Sequence, residues 1–491
     1  MSITIRTDSR SEAEPPPSVG WKSIQDFMRP MFFIPVVAGF TGGFWYPLLP
    51  AWSDATHINA ASLNFLNSIS FLAMVVMVPI FSALGDRYGH RRLLTMTISL
   101  TAIGFVLITV APGFAVAAIG NSLWSAQSAS IGLLIGLVRD KEKGARANRT
   151  IALLATGITV GSLIGVQSAG PIMSLFGGNA RLPLLVPAIL LVVCALISQF
   201  LLSESTTRAD RPIDWIGSIG LSVGLVSLLV GVMNANSAGW TSLSTLGLSA
   251  IGLVVLVAWV KWERRTPAPL INLDVVTSRA MWPAMLAAAM FGAILYVPKT
   301  PVLTFLAAKP ESVGYGFGFA ATAISIVLTC FYLMDILGSS VYALIAGKIG
   351  ARGVLVAGIG CGTVGLASTA ILAHAGSTAW AFTLGFMTIG LGTGLLHGSM
   401  PAYISEAAPA DQVAVISGTY FTVRGVGGTI GTAMAGAMLA AFTPAHATSP
   451  TETGYSAVWL FCAAASVVSL LLMILSWFRR RPPTTAPRTV Y

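Results

Sequence analysis

Charge is scarce in this chain. Only 9% of its 491 residues are Asp, Glu, Lys or Arg, against 55% hydrophobic residues and a mean hydropathy of +0.79. Soluble domains carry roughly a quarter charged residues, so this deficit excludes a soluble enzyme, and the apolar content excludes a disordered chain. Cysteine is also rare. The four (Cys194, Cys330, Cys361 and Cys462) stand singly in apolar runs, without metal-ligand or disulfide-scaffold spacing. A Gly-Lys-Ser/Thr phosphate loop, a metal cluster and a nucleophile constellation are missing, so neither ATP-driven work nor a cofactor is expected. Residues 1–29 are polar, mixed in charge and lack the apolar core of a signal peptide; they read as a disordered cytoplasmic tail, as do residues 479–491.

What the chain does have is long apolar runs. They fall at about 31–51, 63–84, 93–111, 114–138, 150–176, 182–202, 215–233 and 243–260, then at 281–307, 318–346, 353–373, 378–402, 412–441 and 456–478. Each is near the ~20 residues that span a bilayer as a helix. The expectation is an all-α transmembrane protein of fourteen helices, with both termini on one side. The net charge of +10 would suggest nucleic acid in a soluble protein, but here the basic residues sit in short loops and report topology. With the N-terminus inside, 24 of the 28 Lys and Arg fall on inner segments, three (Arg181, Lys299, Lys309) point outward, and Arg424 lies within a run. That asymmetry predicts N-in/C-in topology.

A weak internal repeat divides the chain. Gly85-Asp86-Arg87-Tyr88-Gly89-His90-Arg91-Arg92 between the second and third runs is echoed by residues 346–353, where Gly350 matches Gly89 and Arg352 matches Arg91. Gly161, Gly165 and Gly170 of the fifth run are likewise answered by Gly425, Gly428 and Gly431 of the thirteenth. Paired halves with a site between them are a transporter pattern. The repeat sets two pseudo-symmetric six-helix bundles at 30–202 and 266–478, with two inserted helices at 203–265 outside the central site.

At these residues the chain resembles the major facilitator superfamily, in its fourteen-helix drug:proton antiporter branch. Asp86-Arg87-x-Gly89-x-Arg91-Arg92 is similar to the family's loop signature. Gly157-x3-Gly161-x3-Gly165 is similar to its antiporter motif. Asp214-Trp215, Gly239-Trp240-Thr241 and Trp262-Glu263-Arg264-Arg265 look like the branch's inserted pair. The resemblance implies a secondary active exporter of hydrophobic or amphipathic organic compounds, exchanging them for protons by alternating access, monomeric, in a bacterial cell membrane. Residues 30–53 lack the family's acid, 93–138 lack its arginine, and Val166 replaces its motif proline. These departures leave an uncoupled metabolite carrier as an alternative, and a non-transporting receptor or scaffold as a remote one.

Charges deep in a bilayer are functional suspects, because inserting one costs at least ~2.5–3.5 kcal/mol. Asp335 and Arg424 both lie near mid-run in the second half, and are expected to couple protons, the arginine biasing the acid or meeting an anionic group; a static salt bridge is the plainer alternative. His397 is expected to be packed or hydrogen-bonded, and Glu406 solvated. Gly85, Asp86, Arg87, Gly89, Arg91 and Arg92 are expected to form a gating loop, Asp86 and Arg91 bridging the inner ends of the halves. Trp45, Tyr46, Trp124, Gln127, Tyr296 and Tyr332 are candidates for binding a bulky substrate, although each aromatic could equally face lipid or pack in the core.

Overall fold

The computed structural model describes residues 21–142, 144–205, 214–239, 241–267, 269, 273–278, 281–373, 377–407, 413–444, 447 and 449–478. No β-strand occurs among them. The first group of helices is α1 (Trp21–Thr56), α2 (Ala60–Tyr88), α3 (His90–Val110), α4 (Phe114–Trp124), α5 (Gln127–Lys141), α6 (Gly144–Leu175) and α7 (Leu185–Leu201). A pair follows, α8 (Trp215–Ala238) and α9 (Leu243–Glu263). The second group is α10 (Leu273–Thr277), α11 (Trp282–Tyr296), α12 (Lys299–Ala307), α13 (Pro310–Val313), α14 (Ala321–Leu372), α15 (Ala379–Ala407), α16 (Val413–Ala441) and α17 (Glu452–Phe478). Among the described residues, twelve helical segments are long and apolar enough to cross a membrane.

Several boundaries differ from expectation. α1 starts at Trp21, so the helix reaches into the segment read as a disordered tail; residues 1–20 and 479–491 lie outside the described residues. The run at 114–138 is two shorter helices, α4 and α5, and is not among the twelve. At the break Ser125 Oγ donates to the carbonyl of Ser70, 2.7 Å away, which ties the bend to α2. The run at 281–307 is divided into α11 and α12 at Val297 and Pro298, where the proline has no backbone N–H to continue the ladder. The run at 412–441 is the single helix α16, and it too falls outside the twelve.

Helix ends obey local chemistry. Asn59, Asp214 and Ser242 each accept a hydrogen bond from a backbone N–H in the first turn of α2, α8 and α9, satisfying donors that the helix cannot. The α2–α3 turn closes on Gly89 at φ 111°, and α14 bends at Gly350 at φ 72°. Both values lie where a side chain is disfavoured, so the two matched glycines do the same work.

Apolar helices gain little from leaving lipid for one another, so close approach through small residues holds them together. α1 crosses α6 at Gly39 and Gly43 on one side and Gly161 and Gly165 on the other. A Cβ built on Gly161 would sit 1.9 Å from the Val36 carbonyl oxygen, and one on Gly43 would sit 2.1 Å from that of Ser162. α11 crosses α16 in the same manner, with Gly292 against the Arg424 carbonyl and Gly427 against that of Ala289. Gly428 and Gly431 also face α11, whereas Gly425 turns to Met74 and Val75 of α2 and Gly170 to Thr322 of α14, so these two serve contacts between the groups. The groups meet along α2–α16 and α6–α14. Ser68 bonds Thr432 at 2.8 Å, Gln167 bonds Thr329 at 2.6 Å, and Asn67 bonds Thr300. These pairs lie toward the end of the bundle that carries Thr56 and Leu175. α8 and α9 pack on each other, and α8 leans on α2 and α16 through Leu221, Leu225 and Leu229. Ile103, Val254, Leu344 and Ile371 point outward, each at least half exposed, as a lipid-facing surface requires.

Gly161→Ala is expected to destabilise the protein by about 1–3 kcal/mol, the usual range for overpacking. Gly360→Ala, where an added Cβ meets nothing within 4 Å, should be neutral or mildly stabilising. Thermal unfolding of the two purified variants checks this; equal melting temperatures would contradict the crossing.

Candidate functional site

Between the two groups lies a cavity of about 300 Å³. α1 contributes Ala38, Gly39, Gly42 and Tyr46, α2 contributes Asn67, Ser70, Phe71 and Met74, and α6 contributes Ile158 and Ser162. Trp124, Gln127 and Ile131 come from the α4–α5 bend, and Tyr296, Lys299 and Tyr332 from the second group. No residue of α8 or α9 is among them. Five of the six sequence candidates therefore line the cavity: Tyr46, Trp124, Gln127, Tyr296 and Tyr332. Trp45 does not. It is 1% exposed and packs edge-on against Trp52 and Trp124, at 5.2 and 6.4 Å between ring centroids.

Gln127 is a structural tie as well as a wall. Its Nε2 donates to the Ala38 carbonyl at 2.7 Å, and its Oε1 accepts from Thr41 Oγ1 and Trp124 Nε1, both at 2.9 Å. It thereby fastens the α4–α5 bend to α1 and orients the Trp124 ring. Across the cavity, the rings of Phe71 and Tyr296 meet at 4.1 Å between centroids, tilted by 34°, and join the two groups.

Lys299 is the residue that sequence reasoning misplaced. Its position eight residues before the end of a run made it an outward-facing charge, but Lys299 sits at the head of α12, directly after Pro298, and is 7% exposed. Its Nζ lies 5.4 Å from each of the ring centroids of Tyr46, Phe331 and Tyr332, an aromatic cage for a cation. A lysine inside an apolar run was the available signal, and the adjoining proline the reason to heed it.

Asp335 and Arg424 sit nearby but do not form the salt bridge weighed as the plainer alternative. Asp335 Oδ1 accepts from Thr393 Oγ1 at 2.8 Å and lies 3.1 Å from His397 Nδ1. Thr393 and His397 are four apart on α15, so one face of that helix grips the carboxylate. Gly394 lets α15 approach this closely, since a Cβ there would come within 2.0 Å of the Asp335 carbonyl oxygen. Arg424 is instead enclosed by Phe291, Tyr420 and Phe421, with its guanidinium carbon 5.0–5.6 Å from their centroids. Phe291 also meets His397 edge-on at 4.8 Å, and so stands between the arginine and the acid–histidine pair. Glu406 falls outside the residues whose side chains are described.

The loop at 85–92 also departs from expectation. Asp86 is half exposed and pairs with His90 at 3.1 Å, four residues along the chain. Arg91 does not reach the second group. Its backbone N–H donates to Glu204 Oε1 at 2.9 Å, and its guanidinium donates to the carbonyls of Gln199 and Leu202 at the end of α7. Glu204 also accepts from the Arg92 N–H at 3.3 Å. A carboxylate on two first-turn donors complements the helix dipole. Gly85 packs against Leu133 of α5, and Arg87 lies over its neighbour Tyr88. In the second group Arg352 makes the matching bond to the carbonyl of Met473 in α17. The repeat is thus visible in geometry: each arginine anchors its turn to the last helix of its own group.

The sequence profile of the Major Facilitator Superfamily matches residues 31–432 and 302–490. The chain belongs to the major facilitator superfamily. It is a membrane transporter, not an enzyme. Among its relatives is the multidrug resistance protein Stp of Mycobacterium tuberculosis (strain CDC 1551 / Oshkosh), 25% identical over 409 residues that cover 81% of this chain and 72% of that one. The tetracenomycin C resistance and export protein of Streptomyces glaucescens is 24% identical over 401 residues, 80% of this chain and 71% of that one. The crystal structure of the nucleoside transporter NupG (D323A mutant) superposes with a TM-score of 0.67 at 15% identity, covering 92% of this chain and all of that one, and shares its fold.

Glu204→Gln is expected to cost about 1 kcal/mol, within the range for a lost helix cap, whereas Asp86→Asn should cost less because the Asp86 carboxylate is itself half exposed. Thermal unfolding of the two variants compares them; a larger loss for Asp86→Asn would reverse the assignment.

Proposed function

We propose that this transporter exports hydrophobic or amphipathic organic compounds in exchange for protons. The observation that carries the reading is the aromatic-walled cavity between the two helix groups, with a deep carboxylate–histidine pair beside it. Polarisable rings accept flat apolar molecules of varied outline. The two relatives, a multidrug resistance protein and a tetracenomycin C resistance and export protein, support export of drug-like compounds.

Fourteen crossings follow if α4 and α5 count as one bent span and α16 as another beside the twelve. The short-loop basic residues then favour N-in/C-in topology in a bacterial cell membrane. On that orientation the hydrogen bonds between groups lie toward the outside, which supports an inward-facing state. Transport is a rocking of the bundles 30–202 and 266–478 about the cavity, with 203–265 as a peripheral insertion and the protein a monomer. The 85–92 loop keeps its gating role in the opposite state, where Asp86, exposed here, would be free to meet the second bundle. Gly157, Gly161 and Gly165 hold the α1–α6 crossing while the bundles move, and Gly170 rides on α14. Asp335 takes up and releases the proton, with Arg424 biasing the acid from the far side of the Phe291 ring.

Asp335→Asn should abolish proton-driven accumulation of a fluorescent aromatic substrate in everted vesicles while leaving its binding intact. Undiminished accumulation would instead favour an uncoupled carrier or another coupling group. Cysteine placed at Thr241, which is exposed in the α8–α9 turn, should react with an impermeant maleimide from outside the cell only. Reaction only from the cytoplasmic side would overturn the topology.

A further inference from the structure

We infer that the molecule carried is an anion: a compact aromatic body bearing one acidic group, which docks on the Lys299 ammonium. This assignment rests on the exporter reading above and narrows it.

The argument is one of charge balance. Among the described residues that line the cavity, Lys299 is the sole charged side chain, and no carboxylate reaches the wall. The other polar groups there are neutral: the amides of Asn67 and Gln127, the hydroxyls of Ser70, Ser125, Ser128 and Ser162, and the phenols of Tyr46, Tyr296 and Tyr332. Asp335, the acid within electrostatic reach of Lys299, is already held by Thr393 and His397, and Arg424 adds a second positive charge to the same region. Two cations against one acid leave an excess positive charge at bilayer depth.

Aromatic rings offset part of that cost. Each cation–π contact contributes about 0.5–2 kcal/mol, but a ring face offers no acceptor for the three ammonium protons, and burying an ammonium costs several kcal/mol. No hydrogen bond or ion pair engages the Lys299 Nζ among the described residues. A carboxylate, sulfonate or phenolate entering the cavity would supply the missing acceptor and cancel the excess charge. The flat remainder of the ligand would lie among Tyr46, Phe71, Tyr296 and Tyr332. A lipophilic cation would meet the reverse situation, with repulsion from Lys299 and Arg424 and no acid on the wall to receive it.

Three probes of one shape separate the cases: anthracene-9-carboxylate, its neutral primary amide, and 9-anthracenylmethylammonium. Each is titrated by fluorescence against the purified full-length protein in nanodiscs at neutral pH. The carboxylate should bind on the order of tenfold more tightly than the amide, equivalent to ~1.4 kcal/mol, and the ammonium should bind most weakly. Lys299→Gln should bring carboxylate and amide to similar affinity, and Lys299→Arg should keep the preference. The wild-type ranking decides the matter even if the glutamine variant misfolds. Equal binding of carboxylate and amide, or tighter binding of the ammonium, overturns the charge assignment and leaves an aromatic-binding exporter standing. A preference that survives in folded Lys299→Gln overturns the role of Lys299. Failure of all three probes to bind overturns the inference and the exporter reading together.

Discussion

Helices in a bilayer are not pushed together by water, so backbone-to-backbone contact at the α1–α6 and α11–α16 crossings carries the rest of this structure. At each crossing a glycine on one helix receives a carbonyl from the other, as Gly161 does from Val36 and Gly292 from Arg424. The site is built from residues a turn or two away. Tyr46 follows Gly43 along α1, Tyr296 follows Gly292 along α11, and the backbone of Arg424 is itself a crossing point. A side chain added at either crossing would therefore displace cavity walls as well as loosen packing.

The second constraint is how charge is kept within an apolar bundle. Lys299, Asp335 and Arg424 could have collapsed into ion pairs, and a collapsed buried pair is static and costly to open. Here aromatic rings keep them apart. Phe331 and Tyr332 stand against Lys299, Phe291 stands between Arg424 and His397, and Asp335 is held by a hydroxyl and an imidazole. Such an acid can change its protonation without first leaving a lysine or arginine, and such a lysine can receive a ligand without first losing a partner.

Much of the all-helical fold was legible because long apolar runs obey strong, local rules. The glycine pairs and the matched Gly89 and Gly350 were legible for the same reason, since few residues tolerate those contacts or that φ. What sequence reading missed required distance in the chain or subtle breaks. Glu204 is 113 residues from the arginine it caps, so no spacing rule could join them. The α4–α5 break falls at Ser125 and Ala126, residues that carry no break signal, whereas Pro298 marked the break between α11 and α12. Lys299 was misjudged because its depth was inferred from the nearest loop, not from the position of the proline. Asp335 and Arg424 stand out in the sequence as charges within apolar runs, but the Thr393 and His397 that hold the acid lie on another helix and are set by packing.

The two repeats also explain what can move. Arg91 is tied to carbonyls at the end of α7 and Arg352 to one in α17, so each turn is anchored inside its own group. Backbone crossings rigidify each group further. The contacts between groups are of another kind: hydroxyl and amide pairs such as Ser68–Thr432 and Gln167–Thr329, with small residues sliding on neighbours. A neutral hydrogen bond contributes only ~0.5–1.5 kcal/mol net, so a few such pairs can be exchanged for others at little cost. Strong ties within the groups and weak, replaceable ones between them favour rigid-body rocking over local unfolding. Because Lys299 shares α12 with Thr300, one of the tie residues, neutralising that lysine and releasing that tie would act on the same short helix, which gives ligand binding a direct mechanical route to the interface.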